Sequence, residues 1–199
     1  MKNEKQKIRI IVFGFSGSGK STIAKMLARE LKLRVIHPSS ILRDLALKKT
    51  PEITKSKSGR GFWESAAGIK LFKDRLKAKT PADFECDKIL LKELRKGAVV
   101  IDSWSLAWLT KHAFKIYLQS SRETRVKRVA RRSRINQTKA RSVIIMKDGE
   151  TRELYREHKG FDIKRDTHVF DLIINTDKLN LKNVFSEILS TLNLRGIRK

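Results

Sequence analysis

Apolar residues recur along this chain with two alternating periods. Residues 8–13 form a short, continuous, β-branched run closed by glycines, the signature of a strand buried on both faces. Over 21–31 the apolar positions become Ile23, Ala24, Leu27, Ala28 and Leu31, the stripe of an amphipathic helix. Residues 34–36 predict a brief second strand. Ser39 or Ser40 can cap a helix reaching about Lys48, with Ile41, Leu42 and Leu45 facing inward. The stretch 51–61, rich in Thr, Ser, Lys and Gly, predicts a mobile loop. Helices are expected over 62–78 and 83–96, joined at Thr80-Pro81, and strands over 98–101 and 114–119. A helix over 122–133 buries Val126, Val129 and Ala130, and another over 141–159 carries weak punctuation at Gly149. Residues 172–175 predict a fifth strand and 181–192 a closing helix. Strands alternating with helices predict an α/β fold on a parallel sheet with right-handed crossovers.

Composition adds a charge to explain. The 199 residues fit one domain, and the 40% hydrophobic content is ordinary for a globular chain. Against 21 acidic side chains stand 46 Lys and Arg, a formal net charge of +25. The densest block, 121–141, holds seven arginines, two lysines and one acid, Glu123. Such a run predicts an anion opposite it: bound phosphates, nucleic acid or an acidic partner. The single cysteine, Cys86, excludes an intramolecular disulfide framework and a cysteine-built zinc site. It fits a reducing compartment, so a cytoplasmic location is expected. No apolar run approaches the ~18 residues of a membrane span.

Candidate chemistry begins where the first strand gives way to the first helix. Gly14, Phe15, Ser16, Gly17, Ser18, Gly19, Lys20 and Ser21, followed by Thr22, spell G-x-x-x-x-G-K-[ST] in its required strand–loop–helix setting. Glycines let the backbone curl until several N–H groups converge on phosphate oxygens, and the helix adds its positive end. Lys20 is expected to reach the β- and γ-phosphates, and Ser21 to ligate magnesium. Asp102, closing the third strand, faces the same crevice as a metal or substrate group, or caps the helix that follows. Arg125, Arg128 and Arg132 lie opposite the Val126/Val129/Ala130 stripe and are expected to share an exposed face. Trp104 either stacks on a base or forms a core stripe with Trp108. His37, His112, His158 and His168 show no ligand spacing and read as surface or core fillers. Asp83 and Asp87, four apart, share a helix face read as solvated, with buried Cys86 between them. A guanine-specific signature is absent, because Asn175-Thr176-Asp177 lacks its lysine, and motors are normally longer. A small-molecule kinase fits best.

Ser39 to Arg43, Arg128-Val129-Ala130-Arg131-Arg132, Tyr155, Gly160-Phe161-Asp162 and the run 170–177 resemble nucleoside monophosphate kinases, in particular the archaeal cytidylate-kinase-like branch. The resemblance spans nearly the whole chain and implies a five-stranded parallel sheet in order 2-3-1-4-5. It implies a core of 7–37, 82–131 and 155–199, a monophosphate-binding insertion at about 38–81 and a lid at about 132–154. ATP and Mg2+ would serve γ-phosphoryl transfer to CMP or dCMP in a monomer. Ser39, Arg43, Asp87, Asp102 and Trp104 would meet the acceptor, with Arg43 on its phosphate and the pair Asp83 and Asp87 on a cytosine amino group. Arg128 would lie over the ATP base. Arg131, Arg132 and Arg152 would meet phosphates, and Lys20, Asp102 and Arg132 would serve transfer. Two positions depart from the family pattern. Ser103-Trp104 follows Asp102 where Gly-Arg is usual, and Leu154 precedes Tyr155 where an arginine is usual, with Lys147, Arg152 and Arg156 near enough to substitute. The alternative is an RNA- or ribosome-associated P-loop ATPase, which the +25 charge would suit.

Overall fold

The computed structural model describes residues 8–48, 61–76 and 81–197. Five parallel strands are built from the apolar runs: β1 (Arg9–Phe13), β2 (Arg34–Ile36), β3 (Val99–Asp102), β4 (Phe114–Gln119) and β5 (Leu172–Asn175). Their order is β2-β3-β1-β4-β5. Around them lie α1 (Lys20–Glu30), α2 (Pro38–Ala46), α3 (Ala66–Asp74), α4 (Ala82–Arg95), α5 (Leu106–Leu109), α6 (Arg122–Ser133), α7 (Gln137–Lys159) and α8 (Leu181–Leu194).

The apolar run 10–13 within β1 has a direct cause. Successive strand side chains point to opposite faces, and here both faces are covered. Ile10 and Val12 join Val100, Ile116, Leu118 and Ile174 against α1 and α8. Ile11 joins Val99 and Ile101 against α2, α4 and α5. Each fully buried aliphatic chain contributes roughly 1.5–3 kcal/mol. Phe13, the last residue of β1, enters an aromatic cluster with Phe15, Tyr117 and Tyr155 directly beneath the glycine loop. Val126, Val129 and Ala130 of α6 meet Ala140 and Ile144 of α7, holding those helices together.

Several boundaries differ from the sequence reading, for local reasons. The helix expected over 62–78 splits into a 3-10 turn, Phe62–Glu64, and α3. Ser65 interrupts it: its Oγ accepts from the Gly68 N–H at 3.1 Å and donates to the Phe62 carbonyl at 2.6 Å. The turn folds back so tightly that a Cβ on Gly68 would lie 1.9 Å from the Phe62 oxygen. The long helix starts at Gln137 instead of 141, because Asn136 caps it by accepting from the Lys139 N–H at 2.8 Å. Gly149 leaves that helix unbroken. The helix expected after Asp102 is the short α5, whose N-cap position is Ser105 and not Asp102, whereas the 3-10 turn at Thr167–Val169 had no signal. The loop expected at 51–61 and the Thr80 side of the helix junction lie outside the described residues, apart from Gly61 and Pro81. No helix among the described residues is long and apolar enough to cross a membrane.

Candidate active site

The glycine loop connects β1 to α1 at the carboxyl edge of the sheet, where open α/β folds bind ligands. Gly17 and Gly19 have φ of +87° and +98°, values that L side chains rarely adopt. Gly19 is the N-cap of α1, so the first free N–H groups of that helix open onto the loop. Behind the loop, Gly17 lies against α6 so closely that a Cβ would meet the Arg125 carbonyl at 2.8 Å.

Acidic and basic groups converge in front of the loop. Asp102 ends β3, is 5% exposed, and its Oδ2 lies 2.9 Å from His37 Nδ1. Burial pushes its carboxyl up, but hydrogen bonds from His37 and Ser21 and the charge of Lys20 outweigh this and leave it below its usual value. For Lys20 burial is the largest influence and lowers its pKa; Asp102 opposes this and Arg132 adds to it. The Lys20 Nζ also stands 5.3 Å from the Trp104 ring centroid, and Trp104 meets Phe15 edge-on at 5.8 Å. Trp108 packs against the same aromatic cluster, edge-on to Phe13 at 4.9 Å and flat on Phe161 at 5.3 Å, so both tryptophans join the core there while Trp104 also lies beside Lys20.

The arginines of α6 do share one face, and its burial falls along the helix: Arg125 is buried and Arg128 half-buried against the loop, while Arg132 is exposed as expected. Arg125 is buried and donates to Asp148 Oδ2 at 2.7 Å and to the Ser16 carbonyl at 3.3 Å. Arg128 donates to Thr176 Oγ1 at 3.0 Å and to its carbonyl at 2.6 Å. That contact, with Asp177 accepting from the Ser121 N–H at 2.9 Å, is what the Asn175-Thr176-Asp177 sequence serves here. Arg132 donates to Glu64 Oε1 at 3.1 Å.

Residues 9–178 match the sequence profile of the Cytidylate kinase-like family. A cytidylate kinase of Sulfurisphaera tokodaii is 33% identical over 191 residues, covering 92% of this chain and 94% of its own. One from Staphylothermus marinus is 31% identical over 182 residues, covering 90% and 93%. The chain belongs to the cytidylate kinase-like family. It is a kinase of the nucleoside monophosphate class. Solved structures share the fold: shikimate kinase from Bacteroides thetaiotaomicron (TM-score 0.56, 16% identity, 95% of this chain and 98% of that one). Deoxyadenosine kinase from M. mycoides aligns at TM-score 0.54 with 15% identity, over 94% and 100% of the two chains.

Within this kinase the remaining candidates separate by position. Ser39 and Arg43 lie on α2, where Arg43 pairs with its neighbour Asp44 at 3.2 Å. Arg131 is exposed. Arg152 pairs with Asp162, whose carboxyl that hydrogen bonding holds down to about 2. Of the three cations near the Leu154 position, Arg152 and Arg156 bind Asp162 and Glu153, and Lys147 alone reaches the Arg132 neighbourhood, through Glu64 at 3.0 Å. Leu154 itself is buried beside Tyr155.

Two expectations are overturned by burial. The face carrying Asp83 and Asp87 is not solvated, since each is only 6% exposed. Asp83 pairs with Arg75, itself bonded to Thr151 Oγ1 at 3.2 Å. Asp87 accepts from Ser105 Oγ at 2.5 Å and from the Tyr155 hydroxyl at 2.7 Å, tying α4 to the β3 end and to α7. Losing one member of a buried ion pair such as Arg75–Asp83 costs roughly 3–5 kcal/mol. His37 is no filler either; it stands on Asp102, while His112, His158 and His168 are exposed. Glu64 and Asp148 had no sequence signal, because each is defined by partners distant along the chain; Arg75 joins Asp83, eight residues on, to Thr151, 76 residues on.

Proposed function

We propose that this kinase transfers the γ-phosphoryl group of ATP to CMP or dCMP, with Mg2+ as cofactor. The observation that carries the reading is the convergence of Lys20, Asp102 and Arg132 on the glycine loop of a chain whose relatives, over nine-tenths of its length, are cytidylate kinases. Phosphoryl transfer needs positioning and electrostatic stabilisation more than covalent help. The loop backbone and Lys20 would hold the β- and γ-phosphates, Arg128 would lie by the ATP base, and Arg132 would face the charge on the migrating group.

Ser21 and Asp102 suit magnesium. They are hydrogen-bonded oxygen donors, the carboxylate is kept ionised, and magnesium commonly takes only one or two protein ligands beside phosphate oxygens and waters. Bound there, the ion would offset negative charge on the phosphates. On the acceptor side, Ser39 and Arg43 begin the segment that would hold the monophosphate, and Trp104, half-buried beside Lys20, offers a face to the nucleotide. Asp87, with both oxygens engaged, would act by fixing Ser105 and Tyr155. Arg131 and Arg152 would contact phosphates only after leaving their present surroundings, so Lys147 takes their place in this reading.

The test is a panel of CMP, dCMP, UMP, AMP and GMP with Mg-ATP, following ADP and the nucleoside diphosphate beside a Lys20→Ala control. CDP or dCDP should form fastest, and the control should lose at least about a hundredfold in turnover. ATP hydrolysis without any phosphorylated acceptor, accelerated by RNA, would overturn the proposal.

A further inference from the structure

Beside the arginine that the transfer requires sits a carboxylate for which the reaction has no evident use. Glu64 lies on the turn Phe62–Glu64 and is 4% exposed. Its Oε1 accepts from Arg132 at 3.1 Å and from Lys147 Nζ at 3.0 Å, and its Oε2 accepts from Ser133 Oγ at 3.1 Å. All three donors belong to α6 and α7, whereas the turn leads into α3, within the segment that the kinase reading above assigns to the acceptor. Burial pushes the Glu64 carboxyl up, but Lys147 and Arg132 more than reverse this and keep it ionised.

The turn is a firm support. Ser65 grips the Phe62 carbonyl, and Gly68 allows the turn to lie directly on the start of α3. Arg132, by contrast, has a side chain 47% exposed, while that of Glu64 is 5% exposed. A guanidinium has five N–H donors in a planar fork. One can stay on Glu64 and fix the plane while others face a phosphoryl group.

We propose that Glu64 is a positioning residue that ties the aim of Arg132 to the acceptor-side segment and so favours transfer to the acceptor over transfer to water. This rests on the kinase reading above. In both reactions the bond from the γ-phosphorus to the bridging oxygen breaks and ADP leaves. The new bond forms to a phosphate oxygen of the acceptor, or to a water oxygen that releases its proton to solvent. An arginine held from the acceptor side is correctly placed for the first reaction only when that side is in register.

The experiment compares wild type, Glu64→Gln, Arg132→Ala and the double variant, measuring nucleoside diphosphate formation from CMP and ADP release without acceptor. Glu64→Gln should lower kcat for transfer on the order of tenfold to a hundredfold, with the KM for ATP nearly unchanged. The ratio of acceptor-independent hydrolysis to transfer should rise about tenfold. In the Arg132→Ala background, Glu64→Gln should add little, as expected for residues acting as a unit. If the lone buried cation left at Lys147 prevents folding, Glu64→Gln with Lys147→Met is compared with Lys147→Met alone, so that the loss of that cation is common to both, and the same ratios between the pair are expected. Equal losses in both reactions, or an undiminished effect in the Arg132→Ala background, would overturn the inference. Absence of any diphosphate product from wild type would overturn the kinase reading itself, and this inference with it, before the variants are compared.

Discussion

Asp87 shows how far one side chain can depart from its sequence neighbourhood. It sits on a helix with Asp83 one turn earlier, yet the fold buries it against Ser105 and Tyr155, with Asp83 and Lys159 as the charged groups that influence it. Burial raises its pKa from 3.8 to about 7, with the hydrogen bonds from Ser105 and Tyr155 opposing. The unfolded chain therefore gives up this proton near pH 4, while the folded protein keeps it until about pH 7. Its contribution is fully present below pH 4 and is lost as the pH rises through that window, by roughly 4 kcal/mol at most. Thermal melts between about pH 5 and 7.5 should show a downward slope for wild type that is shallower in Asp87→Asn. Equal slopes would mean that Asp87 ionises normally. Asp87 and His37 were misjudged from sequence for the same reason: what decides each is a contact across 18 and 65 residues of chain, respectively.

Elements were far more legible than side-chain partnerships. The strands and most helices follow from apolar period and from caps that are local in sequence, such as Ser121 on Thr124 and Asn180 on Asn183. The phosphate loop was legible for the same reason, since its glycines answer a backbone requirement within eight residues. Gly17 has a tertiary reason besides. Gly19 has open space where a Cβ would go, whereas a Cβ on Gly17 would meet the Arg125 carbonyl at 2.8 Å and Val129 Cγ2 at 3.0 Å. Alanine is strained at both, by about 1 kcal/mol or more, because both have positive φ. Gly17→Ala must also push α6 away. Its melting temperature should fall further than that of Gly19→Ala, and its nucleotide affinity, read by titration with ATP, should be the more reduced. Equal effects would show that α6 yields freely.

At the scale of the molecule the open question was the +25 charge. Part of it is now placed: Lys20, Arg125, Arg128, Arg132 and Lys147 surround the loop and are paired or directed inward. Arg122, Lys127, Arg131, Arg134, Lys139 and Arg141 remain exposed on α6, α7 and the connection between them. Binding of polyphosphate chains to that surface should weaken about 10³- to 10⁵-fold from 50 to 200 mM salt if six to ten phosphates are engaged. The KM for Mg-ATP should change less than about tenfold over the same range, because the loop residues 14–20 are buried or half-buried and charges there are screened less. A parallel collapse of both would place the nucleotide on the exposed surface instead. The sequence by itself determined the strand and helix succession, the α/β class and the phosphate loop, because each depends on hydrophobic period or on backbone geometry over a few residues. Only the tertiary structure decided which charges are buried, which arginines face the loop and which carboxylates hold them. Those choices depend on desolvation and on partners that only packing brings within hydrogen-bonding distance.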